Sequence, residues 1–379
     1  MAGRTTTKEF PAPGESLVSA LTGRRLVKAG KIGAQIEFEI FEPQMGKAFT
    51  VTSRLLRFEE RVTGGVDTRI GVVKSTYKGL GMTSTEYVTT DGELLETVVG
   101  RIFTLRRESE KTAKDARVAF DALRAGIIPL KKPLGRPQNV VLLKLRLSGV
   151  PRTQLLIDDD RQRYQRGEEG PAAEHVVTLK MAEAPENPPK LPLKLGPKDD
   201  DVAKWLKPST LAQSDAPEII KLARQIVGGE THSYRAASRI QAWVFRNVRK
   251  KLVAALSNAL DVLKHKEGDC SEHTILFVAL CRAAGIPARQ VVGIGYSPRM
   301  KGFGYHAWNE IYVGRWVEMD PSWGQPAVDA AHLQLSSSSL DEASMARNSL
   351  ATGRTMGTIE ITLLGYVRAD GEEVDLTED

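Results

Sequence analysis

The sequence predicts an α+β protein: a mainly-β first part, then a second part of helices and antiparallel sheet. Three observations carry this. Runs that alternate apolar and polar residues, or that are rich in β-formers, recur between 34 and 183. Five prolines lie between Pro185 and Pro197, and proline neither donates a hydrogen bond nor leaves φ free. Beyond them the apolar spacing lengthens to a helical period, and strand-like runs return toward the C-terminus.

The chain has 379 residues, room for two domains. Its 41% hydrophobic and 26% charged residues exclude a disordered or fibrous chain. The net charge of +6 comes from 53 basic and 47 acidic residues, interleaved along the chain. Nucleic acid is not an expected partner, because its footprint is a clustered basic face. No run of about 18 apolar residues occurs, so no membrane span is expected. The N-terminus, MAGRTTTKEFPAPG, lacks the apolar segment of a secretory leader; a cytoplasmic protein is expected. Only two cysteines are present, Cys270 and Cys281. On one helix, they would stand about 16 Å apart, too far for a disulfide. Free thiols suit a reducing compartment, and two cannot build a Cys-rich zinc site. No metal or other cofactor is expected.

In chain order, 1–33 is expected to be flexible. Strands are expected at 34–41, 48–63, 84–106, 140–150 and 175–183, with a hairpin turn at Asp91-Gly92. A helix near 108–124 interrupts them. The 34–184 domain has no tryptophan or cysteine and a single histidine, His175, and its role is not legible. Residues 185–201 read as a proline-rich linker, and 202–379 as the second domain. There, Asp215 is placed to cap a helix through Val227, with Glu218 completing a capping box. A second helix is expected from Ser233 to Lys250, its basic end (Arg246, Arg249, Lys250, Lys251) complementing the helix dipole. Ser336–Ser339 reads as a short loop.

The informative segment is Glu267-Gly268-Asp269-Cys270-Ser271-Glu272-His273, followed by TILFVALCRAAGIPAR. Asp269 and Glu272 have capping-box spacing. Gly285, Ile286 and Pro287 form a stop. The residues between are apolar on nearly every side, which predicts a buried helix. Cys270 falls in its first turn, where unpaired N–H groups and the helix dipole favour an anion. A thiol nucleophile needs such a place. Cys281, deep in the same helix, reads as core. Downstream come two strand-like runs, one with His306 in YHAWNEIYV and one with Asp320 in WVEMDP. Cysteine, histidine and aspartate in this order make a workable thiol site.

Other residues carry blander readings. His273 is a hydrogen-bonded residue on the thiol helix, and C-x-x-H with so few further ligands makes no metal site. Asp329 and His332 are better read as loop or helix start than as a second acid–histidine pair. His265, between lysines, faces solvent. All five tryptophans fall in the second domain, where core packing is their ordinary use.

Taken together, GDCSEH, AGIPAR, YHAWNEIYV and WVEMDPSWG resemble the transglutaminase-like superfamily, over about 202–335. The resemblance implies a papain-like core of helices plus antiparallel sheet. It implies Cys270 as nucleophile, His306 as base and Asp320 as third member. It further implies acyl transfer at a carboxamide or peptide bond of a protein or peptide substrate, with a protease or amidase preferred to a transamidase. An inactive binding module is the alternative from another class. Trp308 and Trp323 flank the histidine and aspartate runs and are candidates to line the substrate cleft. Trp243 is the candidate for a second oxyanion donor.

Strand parity tests the histidine–aspartate pair. A two-residue turn at Gly314-Arg315 would put His306 and Asp320 on opposite faces. A three-residue loop, Tyr312-Val313-Gly314, sets them directly opposite each other and requires Gly314 in the left-handed region.

Overall fold

The computed structural model describes residues 19–42, 47–63, 65–78, 82–99, 103–107, 127–150, 157–167, 174–193, 200–251, 257–341, 344, 345, 348, 352 and 355–377. The helix expected near 108–124 lies outside them. The chain divides into two compact units, Met1–Ala125 and Gly126–Asp379.

In the first unit, α1 (Ser19–Ala29) packs on a six-stranded antiparallel meander. The strands are β1 (Gln35–Glu42), β2 (Lys47–Thr63), β3 (Val66–Tyr77), β4 (Met82–Thr89), β5 (Leu94–Val99) and β6 (Phe103–Arg106). Leu26 and Val27 of α1 cluster with Leu55, Val73 and Val88 of the sheet. The segment expected to be flexible up to residue 33 thus contains a helix anchored by buried apolar area. The Asp91-Gly92 turn joins β4 to β5, with Gly92 at φ +89°. Strand β3 was not expected: its buried run Ile70-Gly71-Val72-Val73 has no alternation to read.

The second unit is layered helix, sheet, sheet. Its longer helices among the described residues are α2 (Pro217–Val227), α3 (Ser233–Asn247), α4 (Ala259–His265) and α5 (Cys270–Ala283). The middle sheet has β15 (Trp316–Met319), β14 (Gly302–Tyr312), β13 (Ala288–Ser297) and β16 (His332–Ser338) in that order, with β7 (Ile127–Pro129) pairing β14. The outer sheet runs β18 (Glu373–Asp375), β17 (Glu360–Arg368), β8 (Val140–Ser148), β10 (His175–Lys180), β9 (Gln162–Gln165). Ile275 through Cys281 pack with Ile240, Val244, Ile311, Val317 and Met319 on the helical side. On the other side, Ile294, Phe303 and Leu333 meet Leu143, Leu145, Leu147 and Leu179.

This architecture corrects the expected domain boundary. β8 and β10 belong with the second unit because β8 pairs β17, from the far end of the chain. The stretch read as a linker lies inside that unit. Lys190 bridges His232, Leu191 donates to the Thr231 carbonyl and Ser233 to that of Pro189, so part of it is a strap across the start of α3. Helix α2 starts at Pro217 with Ala216 as N-cap and no side-chain cap; Pro at the first helical position sets that boundary, and the Asp215–Glu218 box does not form. Helix α3 ends at Asn247. Arg249–Lys250 (β11) pair in parallel with Glu267–Gly268 (β12), and Arg249 and Lys251 both ion-pair with Glu267. Ser336 to Ser338 are strand, not loop.

Candidate active site

Helix α5 begins where its cap dictates. The Asp269 carboxylate accepts from Ser271 N at 2.8 Å, and Glu272 accepts from Asp269 N at 3.0 Å, a complete capping box. Glu272 also accepts from Ser257 N; burial, then the neighbouring Asp269 carboxyl, push it up to about 7. At the other end Gly285 has φ +77° and Ile286 N returns to the Cys281 carbonyl. Arg282 is buried and donates to the carbonyls of Ala288, Lys207 and Ser339, so the C-terminal turn is anchored as well. Cys270, the first residue of α5, is half-buried, whereas Cys281 is fully buried and burial drives its thiol pKa well up.

His306 of β14 hydrogen-bonds Asp320, Nε2 to Oδ2 at 2.7 Å, and has the Cys270 side chain as a neighbour that favours its protonated form. With Nε2 engaged, Nδ1 is the nitrogen left for the thiol. Burial pulls the pKa of His306 down, but the Asp320 charge and hydrogen bond, with Cys270, outweigh it and carry it up to about 9. Asp320 is fully buried. Burial raises its pKa, yet His306 and His332 hold it well below the usual carboxylate range.

The hairpin behind this contact differs from the expected one by two residues. Ile311 pairs Val317 and Tyr312 pairs Trp316, so the loop is Val313-Gly314-Arg315. Gly314 has the expected positive φ, +88°, but as the middle residue of the loop rather than its last. A two-residue shift preserves parity, so His306 and Asp320 stay on one face. Continued past Met319, this register would bring Asp320 opposite Trp308, diagonal to His306. The β14–β15 ladder ends at Met319. Asp320 instead bridges Gln325 and closes a turn in which its Oδ1 accepts from Ser322 N, Ser322 Oγ and Trp323 N at 2.7–2.9 Å. From α3, Gln241 Nε2 donates to the Asp320 carbonyl at 3.0 Å.

Trp323, half-buried, stacks on His306 with ring centroids 4.0 Å apart. Trp308 is fully buried and donates its indole N–H to Glu318 at 2.5 Å. Its ring has no surface to offer a substrate, so the expected cleft-lining role is corrected to a core one. Trp243 packs against the helical core and lines a 440 Å³ depression with Ile226, Arg239 and Arg246; the α3 side chain bonded to the aspartate turn is Gln241. Two glycines of β13 make room beneath the site. A Cβ on Gly293 would meet Trp308 at 2.5 Å, and one on Gly295 would meet Trp323 at 2.8 Å. Such close approach is what a strand glycine often marks.

His273 is buried, its ring between the carbonyls of Asp269 and Val248, and His265 is exposed, both as expected. His332 is not in a loop. It lies on β16, fully buried, with Nδ1 2.9 Å from Asp329 Oδ1 and Nε2 3.5 Å from Asp320 Oδ2. The acid–histidine pair weighed against in the sequence therefore forms. Ligand atoms of His306, Asp320 and His332 lie within 4.8 Å of one another, spacing that a cation could use. Of these contacts, His306–Asp320 is a direct hydrogen bond at 2.7 Å, and His332 Nε2 has no hydrogen-bond partner.

Residues 220–321 match the family model of the transglutaminase-like superfamily. Human kyphoscoliosis peptidase is 30% identical over 136 residues, 31% of this chain and 19% of that protein. The mouse protein of the same name is 33% identical over 119 residues, 26% of this chain and 17% of its own length. The chain thus spans less than a fifth of these relatives. Among solved structures, a candidate cysteine protease from Cytophaga hutchinsonii aligns at 18% identity over 59% of this chain and 82% of its own, with TM-score 0.38. Residues 220–321, the stretch that contains Cys270, His306 and Asp320, belong to a domain of the transglutaminase-like superfamily.

Proposed function

We propose that the protein is a thiol acyl-transfer enzyme acting on carboxamide or peptide bonds, with water as the preferred acceptor. The observation that supports this most is the 2.7 Å His306–Asp320 hydrogen bond set beside Cys270 at the first turn of a buried helix. The Cys270 sulfur attacks the carbonyl carbon after its proton passes to His306. The C–N bond breaks as His306 returns that proton to the leaving amine, and an acyl-thioester remains. Water then attacks the thioester, gives its proton to His306 and releases a carboxylic acid and the thiol. Asp320 orients the imidazole and balances its charge. As the first helical residue, Cys270 has a backbone N–H with no partner within the helix, available to the developing oxyanion.

The relatives named peptidase favour hydrolysis over transamidation for the same chemistry. Incubation with a protein mixture, with and without a labelled amine, followed by mass spectrometry separates the products. New termini are expected. Amine incorporation would make the protein a transamidase, and Cys270 labelling by iodoacetamide no faster than a free thiol would make it a binding module.

A further inference from the structure

We infer that His332 is a positioning residue for this reaction: set between Asp329 and Asp320, it fixes the carboxylate that orients His306. The inference rests on the proposed thiol chemistry. His332 Nδ1 lies 2.9 Å from Asp329 Oδ1, and its Nε2 lies 3.5 Å from the Asp320 oxygen that receives His306 Nε2. Ionised carboxylates only accept: Nδ1 donates to Asp329, while Nε2 makes no hydrogen bond and faces the Asp320 oxygen, a position in which a protonated nitrogen is attracted and a lone pair repelled. His332 is then a cation beside the orienting acid. Burial alone would lower its pKa, but the two carboxylates outweigh that and bring it up to about 9.

The rest of the shell holds this ring in place. Asp329 accepts also from Gln325 Nε2 and Ala331 N. The His332 carbonyl accepts from Arg161 at 2.7 Å, and the same guanidinium pairs with Glu318 of β15. Trp308 and Trp323 stand edge-on to the ring, each at 5.1 Å. The charged or titratable groups around it are therefore Asp329 from the preceding turn, Asp320, His306 on β14, the Arg161–Glu318 pair, and, past Asp320, Cys270 and His273 on α5. A purely structural pair would tie down the 320–332 segment and do nothing to the thiol. A positioning residue must be felt at Cys270.

The test compares iodoacetamide labelling of Cys270 from pH 5 to 10 in the wild type and in His332→Gln. Loss of the cation makes the cluster more negative and frees one side of Asp320, and both effects disfavour the thiolate. The variant profile should move at least half a pH unit upward, with labelling at pH 6 slowed about threefold or more and the rate near pH 10 unchanged. A folded variant whose profile superimposes on the wild type overturns the inference and leaves the thiol chemistry standing. Wild-type labelling no faster than a free thiol overturns both. Should the variant not fold, nitrogen-15 NMR of wild-type His332 decides: both ring nitrogens protonated at pH 7 is expected, and a neutral ring overturns the inference.

Discussion

Cys270 and Cys281 share one helix and differ in what surrounds the sulfur. The first is half-buried beside His306; the second is enclosed by the helical core. Cys270→Ala should abolish acyl transfer and leave the melting curve nearly unchanged, since alanine suits a helix start. Cys281→Ala should keep activity and lower stability by about 1 kcal/mol through a small cavity, read from denaturant titrations of both variants. Asp320→Asn keeps an oxygen for the Ser322 and Trp323 N–H groups but can present the wrong tautomer to His306. Turnover should fall on the order of a thousandfold or more while Cys270 remains alkylatable. Cys270, His306 and Asp320 could be singled out because each sits in a local pattern: a cap, or a strand with recognisable neighbours. His332 could not, because nothing within the run VDAAHLQL reveals that Asp320 approaches it from another turn.

At the scale of elements, the thiol helix carries its own boundaries in sequence. Asp269, Glu272, Gly285 and Pro287 act within a few residues of where they stand, and the structure reproduces the expected ends. Asp269→Ala should cost about 1 kcal/mol through the lost cap and slow alkylation of Cys270, because it loosens the turn that presents the sulfur. The hairpin was half legible. Gly314 announces a three-residue loop, but which three residues form it depends on strand pairing beyond the turn; parity survives a two-residue error where exact opposition does not. Gly314→Ala should destabilise by about 1 kcal/mol, because alanine at φ +88° is strained, with a parallel loss of rate if Asp320 is displaced.

For the molecule as a whole, the boundary that composition suggests is not the one that packing sets. Proline density marks a strap, and the strands before it complete the second unit. A fragment beginning at residue 202 lacks Leu143, Leu145, Leu147, Val177 and Leu179, all fully buried. At about 1.5–3 kcal/mol for each buried side chain, that loss is comparable in size to the usual net stability of about 5–15 kcal/mol. The 202–379 fragment should not fold, whereas 126–379 should melt cooperatively; calorimetry distinguishes the two outcomes. The buried titrating groups also set a pH window. His306 and His332 are raised to about 9, so their stabilisation is complete below about pH 6.5 and is lost as pH rises through 9. Asp320 and Asp329 are depressed, so their contribution is present above about pH 4 and is lost in acid. Melting temperature should therefore fall from about pH 6.5 to 9.5, measured by scanning calorimetry across that range.

The pairing of β8 with β17 has a consequence for how the protein is made. Ser148 and Glu360, opposite each other in that ladder, are 212 positions apart. During synthesis, β8 leaves the ribosome long before the strand that covers its edge has been translated. At roughly 5–20 residues per second, that edge waits on the order of ten seconds or more, presenting unpaired N–H and C=O groups and a row of leucines to any neighbouring chain. Long-range closure of this kind folds slowly, and an open edge is a template for association. Yield on expression should therefore depend on temperature and chaperone supply more steeply than the stability of the finished protein would suggest.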